Sequence, residues 1–284
     1  MIVEALSLLT ALCYGVSAVL NRIGMRDSNP MTGAMVISLV QVLILSVLVA
    51  AMPPTMINLT GVALFVASGI LASTLGRLAN LTSVDRMGVA ISSTIIGSSP
   101  LFSTLFAVLF IGERVVPSTL VGTVLIVVGI ALASWRGEGG QRLTSTLVFP
   151  FASAAFYGAS SVVRKVALNI LPETTLGALV STASSLLSFV VYLAATQGLG
   201  TIRLSRSSGK YFLVSGVIVS VAWLSMFTAL SVGGVAVVSA LIGTSPLFSL
   251  VLSALLLRDA EDLGWGVIMG SVAIVAGAAV ITLF

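Results

Sequence analysis

The chain has 284 residues, of which 58% are hydrophobic and only 8% are charged. An ordinary globular domain has about 25% charged residues, so these few charges exclude a water-soluble surface and a disordered chain. The 13 Lys and Arg residues exceed the 9 acidic residues by too little to form a basic patch for nucleic acid. Composition therefore predicts an integral membrane protein that has the lipid bilayer, and no nucleic acid, as its partner.

The rare residue types exclude several kinds of chemistry. The sequence contains no His and a single Cys, Cys13. Zinc sites built from His and Cys, Ser-His-Asp triads and Cys-His pairs are therefore excluded, and no GxxxxGK[ST] phosphate loop occurs. We expect a protein that is not an enzyme and that has no cofactor and no metal site.

Apolar stretches of membrane-crossing length account for most of the chain. A helix needs about 20 residues to cross about 30 Å of hydrocarbon. Breaks at Pro53-Pro54, at Asp85-Arg86, at the linker Gly137–Gly140 and at similar sites separate ten such stretches. Their predicted bounds are 3–22, 31–51, 60–80, 88–110, 117–136, 144–166, 174–197, 210–230, 235–257 and 263–283. The predicted fold class is an all-α integral membrane protein with ten transmembrane helices, because barrel strands are about 10 residues long and alternate strictly.

An internal repeat relates the two halves of the chain. Residues 95–103 read IIGSSPLFS and residues 241–249 read LIGTSPLFS. In the same order, Tyr14-Gly15 matches Tyr157-Gly158, and Gly88-Val89-Ala90 matches Gly234-Val235-Ala236. Rare residue pairs in matching order indicate duplication, which chance similarity of Val-rich and Leu-rich segments does not explain.

Five spans in each repeat have a geometric consequence. An odd number of crossings makes the second repeat enter the membrane from the opposite side, so the sequence predicts two inverted five-helix repeats, 1–137 and 143–284. Inverted repeats are a common construction of secondary transporters, which place the substrate between the two halves near the middle of the membrane.

These motifs resemble the drug/metabolite transporter superfamily, specifically its EamA-type ten-helix exporters. The resemblance rests on the two-times-five layout, on GSSPLF at 97–102 and on FIGER at 110–114. The second half departs from the family pattern, since Leu257-Arg258-Asp259 stands where Gly-Glu is usual. The resemblance implies a multi-pass protein of the cytoplasmic membrane that exports amino acids, metabolites or drugs. It also implies cytoplasmic termini, whereas the basic residues, most of which follow odd-numbered spans, predict the opposite orientation.

Polar and aromatic side chains at helical spacing predict a substrate cavity, because such a stripe seldom faces lipid. Interhelical hydrogen bonding is the alternative explanation. Arg77 would hold a carboxylate or another anion, or else extend to the membrane interface. The predicted cavity residues are Tyr14, Ser17, Asn21, Ser73, Arg77, Asn80, Ser98, Ser99, Tyr157, Ser160, Trp223, Phe227, Thr244 and Ser245. Of these, Ser98-Ser99 and Thr244-Ser245 stand beside Pro100 and Pro246, where they would either face the substrate or satisfy the backbone that the prolines interrupt. Tyr14, Ser17 and Asn21 correspond in the repeat to Tyr157, Ser160 and Arg164.

Three further residues have predicted structural roles. Pro100 and Pro246 lie inside the fourth and ninth predicted spans, where each removes a helix hydrogen bond. They predict a paired helix break that acts as a pivot, with an ordinary kink as the alternative. Glu113 precedes Pro117, and we expect it to cap the helix that follows, whose N-terminus favours negative charge.

Glycines at a seven-residue spacing predict closely packed helices. Gly122 and Gly129 match Gly270 and Gly277. Small residues on one helix face allow close approach, either within one chain or between two copies, so monomer and dimer both stay open.

The sequence as a whole favours a carrier that exports small metabolites such as amino acids by alternating access. A sugar-phosphate or nucleotide-sugar exchanger is a second hypothesis, although phosphate calls for several cations in the cavity. A membrane enzyme or scaffold is the third, and the missing His and mid-span acids disfavour an enzyme.

Overall fold

The computed structural model describes residues 1–87, 95–134, 146–196, 198, 202–256 and 265–283. These residues form helices and no strand. In chain order the helices are α1 (Ile2–Gly24), α2 (Pro30–Ala51), α3 (Leu59–Ile70), α4 (Arg77–Met87), α5 (Ser99–Ile111), α6 (Pro117–Ser134), α7 (Val148–Ile170), α8 (Thr174–Thr196), α9 (Arg206–Val232), α10 (Val235–Ile242), α11 (Ser245–Leu256) and α12 (Trp265–Leu283).

The predicted spans coincide with these helices to within a few residues, except at three places. The third span continues to Met87 through a π-helical turn, Leu71–Gly76, so the predicted break at Asp85-Arg86 is wrong. The ninth span is divided into α10 and α11, and the described part of the fourth span is divided before α5. Three predicted features lie outside the described residues, namely Gly88-Val89-Ala90, Gly137–Gly140 and Leu257-Arg258-Asp259.

Apolar side chains cover much of the outer surface. Within the part of the chain that the structure describes, five helical stretches are long and apolar enough to cross a membrane: Ile2–Asp27, Pro30–Ala51, Leu59–Asn80, Thr174–Thr196 and Arg206–Val232. Large apolar residues such as Leu43, Leu109 and Val214 are more than half exposed. A monomeric soluble protein seldom exposes so much apolar surface, and lipid is the solvent that accommodates it.

Helices distant in sequence pack against one another. α1 packs on α9 and on α11, and α7 packs on α3, α4 and α5. α2 contacts both α8 and α9, while α6 lies along α12. These contacts bring helices from both halves of the chain around one central space.

The glycines predicted to allow close packing, Gly122, Gly129, Gly270 and Gly277, form a seam inside the molecule, between α6 and α12. A Cβ atom added at Gly129 would stand 2.6 Å from the carbonyl oxygen of Gly270, and one added at Gly122 would stand 2.6 Å from that of Gly277. The two helix backbones approach so closely that only glycine fits at these positions. The predicted seam is therefore an internal packing surface.

Loops from the two halves meet at both ends of the helices. At one end Glu173 accepts hydrogen bonds from the backbone N–H (2.8 Å) and the hydroxyl (2.6 Å) of Thr55. These hydrogen bonds, the one from the hydroxyl first, lower the pKa of the Glu173 carboxyl from its ordinary value. At another loop pair Ser28 donates to the carbonyl of Arg203 at 2.6 Å.

Candidate functional site

A cavity of about 860 Å³ lies between the helices of the two halves. Most of the residues predicted from sequence line it, together with segments of α1, α2, α7, α8 and α9 and with both helix breaks. The predicted residues on its wall are Tyr14, Ser17, Asn21, Ser73, Arg77, Asn80, Ser99, Pro100, Tyr157, Trp223, Ser245 and Pro246.

Two predicted cavity residues are instead used in packing between helices. Ser160 is completely buried and donates to the carbonyl of Ser68 at 3.0 Å, so it joins α7 to α3. Phe227 is also completely buried, with its ring 5.9 Å from that of Phe65. Ser160 and Phe227 each lie one residue away from the positions of their helix that line the cavity. A stripe of side chains at helical spacing defines the buried face of a helix only to within about 100° of rotation.

Ser98 and Thr244 are the other two predicted cavity residues that do not line the cavity. Each donates a hydrogen bond to a backbone carbonyl at one of the two helix breaks. The hydroxyl of Ser98 donates to the carbonyl of Ile95 at 2.6 Å, and that of Thr244 donates to the carbonyl of Leu241 at 2.7 Å. These carbonyls lie where the helix stops, and each also accepts a hydrogen bond from the backbone N–H of the same residue, at 3.0 Å for Ser98 and 3.1 Å for Thr244. The two residues therefore close the breaks and do not line the cavity.

The two prolines begin new helices. Pro100 and Pro246 each stand in the first turn, of α5 and α11 respectively. A first-turn Pro has no helical hydrogen bond to lose, and its fixed φ suits a helix start. The expected loss of a hydrogen bond inside a helix is therefore wrong, whereas the expected helix break is present at both prolines.

Glu113 caps a helix, although a different one from the helix predicted. Its two carboxylate oxygens accept hydrogen bonds from the backbone N–H groups of Val235 (2.9 Å) and Ala236 (3.0 Å), at the start of α10. The N-cap position of α10 is Gly234, which has no side chain to cap the helix. Glu113 supplies that cap from the other half of the chain.

Two basic residues of α7 have unlike surroundings. Lys165 donates to the carbonyls of Leu230 (2.8 Å) and Gly233 (3.0 Å), and so caps the C-terminal end of α9. Arg164 is 6% exposed and lines the cavity, with its guanidinium carbon 4.9 Å from the centre of the Trp223 ring. Arg164 is therefore not a loop charge and does not count toward the orientation of the chain in the membrane.

Sequence reasoning missed Gln41, which is 4% exposed in the middle of α2 and lines the cavity. A signal was present, because Gln41 is the one amide of the second predicted span. The repeat does match Arg164 to Asn21, seven positions after Tyr157 and Tyr14 respectively, but Arg164 is not among the predicted cavity residues.

The chemistry available in the cavity is cationic and hydrogen-bonding. Arg77 and Arg164 are the two charged residues among those that line it, within the described ranges of the chain. The guanidinium of Arg77 lies 5.6 Å from the centre of the Phe189 ring. Serine, asparagine and tyrosine side chains supply neutral donors and acceptors, and the described residues contain no group of side chains that would hold a metal ion.

Comparison with known proteins agrees with this architecture. The sequence profile of the EamA-like transporter family matches residues 1–135 and 144–283. An uncharacterized transporter of Archaeoglobus fulgidus is 25% identical over 259 residues, which cover 89% of each chain. A crystal structure described only as that of a protein matches with a TM-score of 0.83 over 99% of this chain and 98% of the other, at 15% identity, and so shares the fold. The chain belongs to the EamA-like transporter family, and is thus a multi-pass membrane transporter of the drug/metabolite superfamily.

Proposed function

We propose that this transporter exports small metabolites such as amino acids across the cytoplasmic membrane by alternating access. The observation that carries the proposal is the cavity of about 860 Å³, which is bounded by helices from both halves and by both helix breaks. A cavity of this volume is large enough for a small metabolite. Its wall combines aromatic surface with many neutral hydrogen-bonding groups, as expected for a site that releases its solute after each cycle.

The proposed architecture is ten transmembrane helices in two inverted repeats, 1–137 and 143–284. Equivalent contacts support it. Gly15 of α1 abuts Phe248 and Ser249, just after Pro246, while Gly158 of α7 abuts Phe102 and Ser103, just after Pro100. An exchange of the two halves converts each of these contacts into the other, and it also converts the α1–α9 packing into the α7–α3 packing.

The loop contacts are consistent with the same arrangement. In an inverted ten-helix topology the loop after α2 and the loop after α7 lie on one side of the membrane, and Thr55 and Glu173 of these loops are hydrogen-bonded. The loops after α1 and α8 then lie on the opposite side, where Ser28 and Arg203 are hydrogen-bonded.

In this mechanism the two broken helices act as pivots. Residues of both breaks line the cavity, among them Ser99 and Ser245. Two equivalent halves can exchange conformations, which gives inward-open and outward-open states of similar energy. Short segments that pivot about Gly97-Ser98 and Gly243-Thr244 would open one end of the cavity as they close the other.

A flux assay tests the proposal. Purified protein in proteoliposomes is loaded with a mixture of unlabelled amino acids, and uptake of labelled amino acids is followed by counterflow. We expect uptake of a subset of them, well above protein-free liposomes. Uptake of labelled sugar phosphates in place of amino acids would favour the exchanger hypothesis. Solute binding without any flux would contradict transport.

A further inference from the structure

Arg164 is a buried cation that no carboxylate balances among the described side chains. The one ion pair that they form joins the N-terminal amine to Glu4, far along the chain from Arg164. The guanidinium lies against the rings of Trp223, at 4.9 Å, and Phe227, at 5.7 Å. Aromatic faces attract a cation, but they accept few of its five N–H donors.

Two strong donors converge on one weak acceptor beside these rings. The Nη1 of Arg164 lies 3.8 Å from the thioether sulfur of Met226, and the hydroxyl of Tyr14 lies 3.9 Å from the same sulfur. Thioether sulfur is a weak acceptor. All three residues line the cavity, and they come from α7, α1 and α9.

Unpartnered polar atoms are concentrated among the residues that line the cavity. Among the described residues, three buried side-chain nitrogen or oxygen atoms of cavity residues have no hydrogen-bond partner. They are Nε of Arg164, Nε2 of Gln41 and Oδ1 of Asn21. Buried polar groups are normally hydrogen-bonded, and three exceptions around one cavity indicate the place of a ligand.

We infer that Arg164 binds the carboxylate of the transported solute, with the hydroxyl of Tyr14 as a second donor. The carboxylate takes the place of the Met226 sulfur as the acceptor for both groups, and the Trp223 ring lies beside it. This inference rests on the proposed function, since it assigns the chemical class of the solute carried by that cavity.

The charge of the site favours a carboxylate over a phosphate. A planar guanidinium binds a carboxylate through two parallel hydrogen bonds, and the charge of Arg164 balances one negative charge. Arg77, the other cation that lines the cavity, packs on the Phe189 ring of α8, whereas Arg164 packs on the Trp223 ring of α9. A phosphate monoester carries close to two negative charges and calls for more cations. Lys165, the next basic residue of α7, already donates to two backbone carbonyls at the end of α9.

Equilibrium binding with matched probes tests the inference. Replacing Trp135 and Trp265 by Phe leaves Trp223 as the sole tryptophan of the three in the chain, so that its fluorescence reports on the cavity. The probes are 3-phenylpropionate, its neutral isostere 3-phenylpropionamide, and phenyl phosphate. We expect a saturable fluorescence change with the carboxylate and binding of the amide that is at least tenfold weaker.

Variants assign this preference to named residues. Arg164→Gln is expected to remove the preference for carboxylate over amide, and Tyr14→Phe to weaken carboxylate binding about tenfold. Met226→Leu removes the competing sulfur at similar volume and should bind the carboxylate at least as tightly as the parent. Arg206→Gln makes the same charge change at the exposed start of α9 and should leave binding unchanged.

Several results would overturn the inference: equal binding of amide and carboxylate, tighter binding of phenyl phosphate, no saturable binding of any probe, or an unchanged preference in Arg164→Gln. If Arg164→Gln fails to fold, the probe comparison in the parent and the Tyr14→Phe and Met226→Leu variants still decide it. Carboxylate binding without flux in proteoliposomes would contradict the proposed transport but not the proposed binding site. Flux that does not depend on a carboxylate group in the solute would contradict the binding site alone.

Discussion

At the scale of single residues, Glu113 shows why a local pattern identifies a role more easily than a partner. A carboxylate in a short loop before Pro117 predicts a helix cap, and Glu113 is one. The helix that it caps is α10, which begins more than a hundred residues later, behind an N-cap glycine that lacks a side chain. Nothing in the sequence around Glu113 identifies this distant N-terminus, because the contact depends on how the two halves pack.

Replacing Glu113 by Gln should lower the free energy of unfolding by about 1–2 kcal/mol. The amide keeps one acceptor oxygen where the carboxylate has two, and it loses the negative charge that favours a helix N-terminus. Thermal melting of the purified protein, followed by intrinsic fluorescence, measures the change. Glu173→Gln is the matched control, since Glu173 accepts its hydrogen bonds in an exposed loop and should matter less. An equal effect of both changes would contradict the cap.

Arg77 and Arg164 show that the local sequence is also a poor guide to which charged residues line the cavity. Both guanidiniums line the cavity, but only Arg77 is among the predicted cavity residues. The repeat matches Arg164 to Asn21, which is a predicted cavity residue, whereas its position beside Lys165 and near the end of an apolar stretch favours a loop charge. A comparison of the two halves is therefore a better guide to the cavity face than distance from a predicted helix end.

At the scale of helices, the length of each apolar stretch and the proline, glycine and charged residues between stretches placed most helix boundaries within a few residues. The π-helical turn at Leu71–Gly76 was not predictable in this way, because its hydrogen-bonding pattern depends on neighbours in other helices. Ser153 of α7, for example, donates to the carbonyl of Gly76 at 2.8 Å. Pro100 predicts a helix break correctly, but the long apolar run around it does not reveal that the proline stands in the first turn of a new helix.

The α6–α12 seam allows a matched test of packing. Gly129→Ala places a methyl group 2.6 Å from a backbone carbonyl of α12, and overpacking of this kind should cost about 1–3 kcal/mol of stability. In Gly209→Ala the new methyl group has only one neighbour, at 3.6 Å, so this variant should be neutral or slightly stabilised. Melting temperatures in detergent compare the two. Equal melting temperatures would contradict the close approach of the helices.

At the scale of the whole molecule, the paired features converge on the cavity. The two breaks, at Gly97-Ser98 and Gly243-Thr244, use the same hydroxyl-to-carbonyl hydrogen bond, and the two first helices of the repeats pack on the segment after the opposite proline. The repeat in the sequence predicted which residues are equivalent. It did not predict which of them face the solute, because Ser160 and Phe227 lie one position away from the cavity face.

The central claim, a solute route that opens alternately to the two sides of the membrane, is tested most directly at Ser99. In a Cys13→Ala background, Ser99→Cys places one thiol on the cavity wall at a helix break. Leu109→Cys is the control, because Leu109 is 64% exposed on the apolar outer surface. Alternating access predicts that an impermeant thiol reagent modifies the Ser99→Cys protein both in intact cells and in inverted membrane vesicles, and that the control reacts in neither. Modification of the Ser99→Cys protein from one side only, or from neither side, would contradict the account.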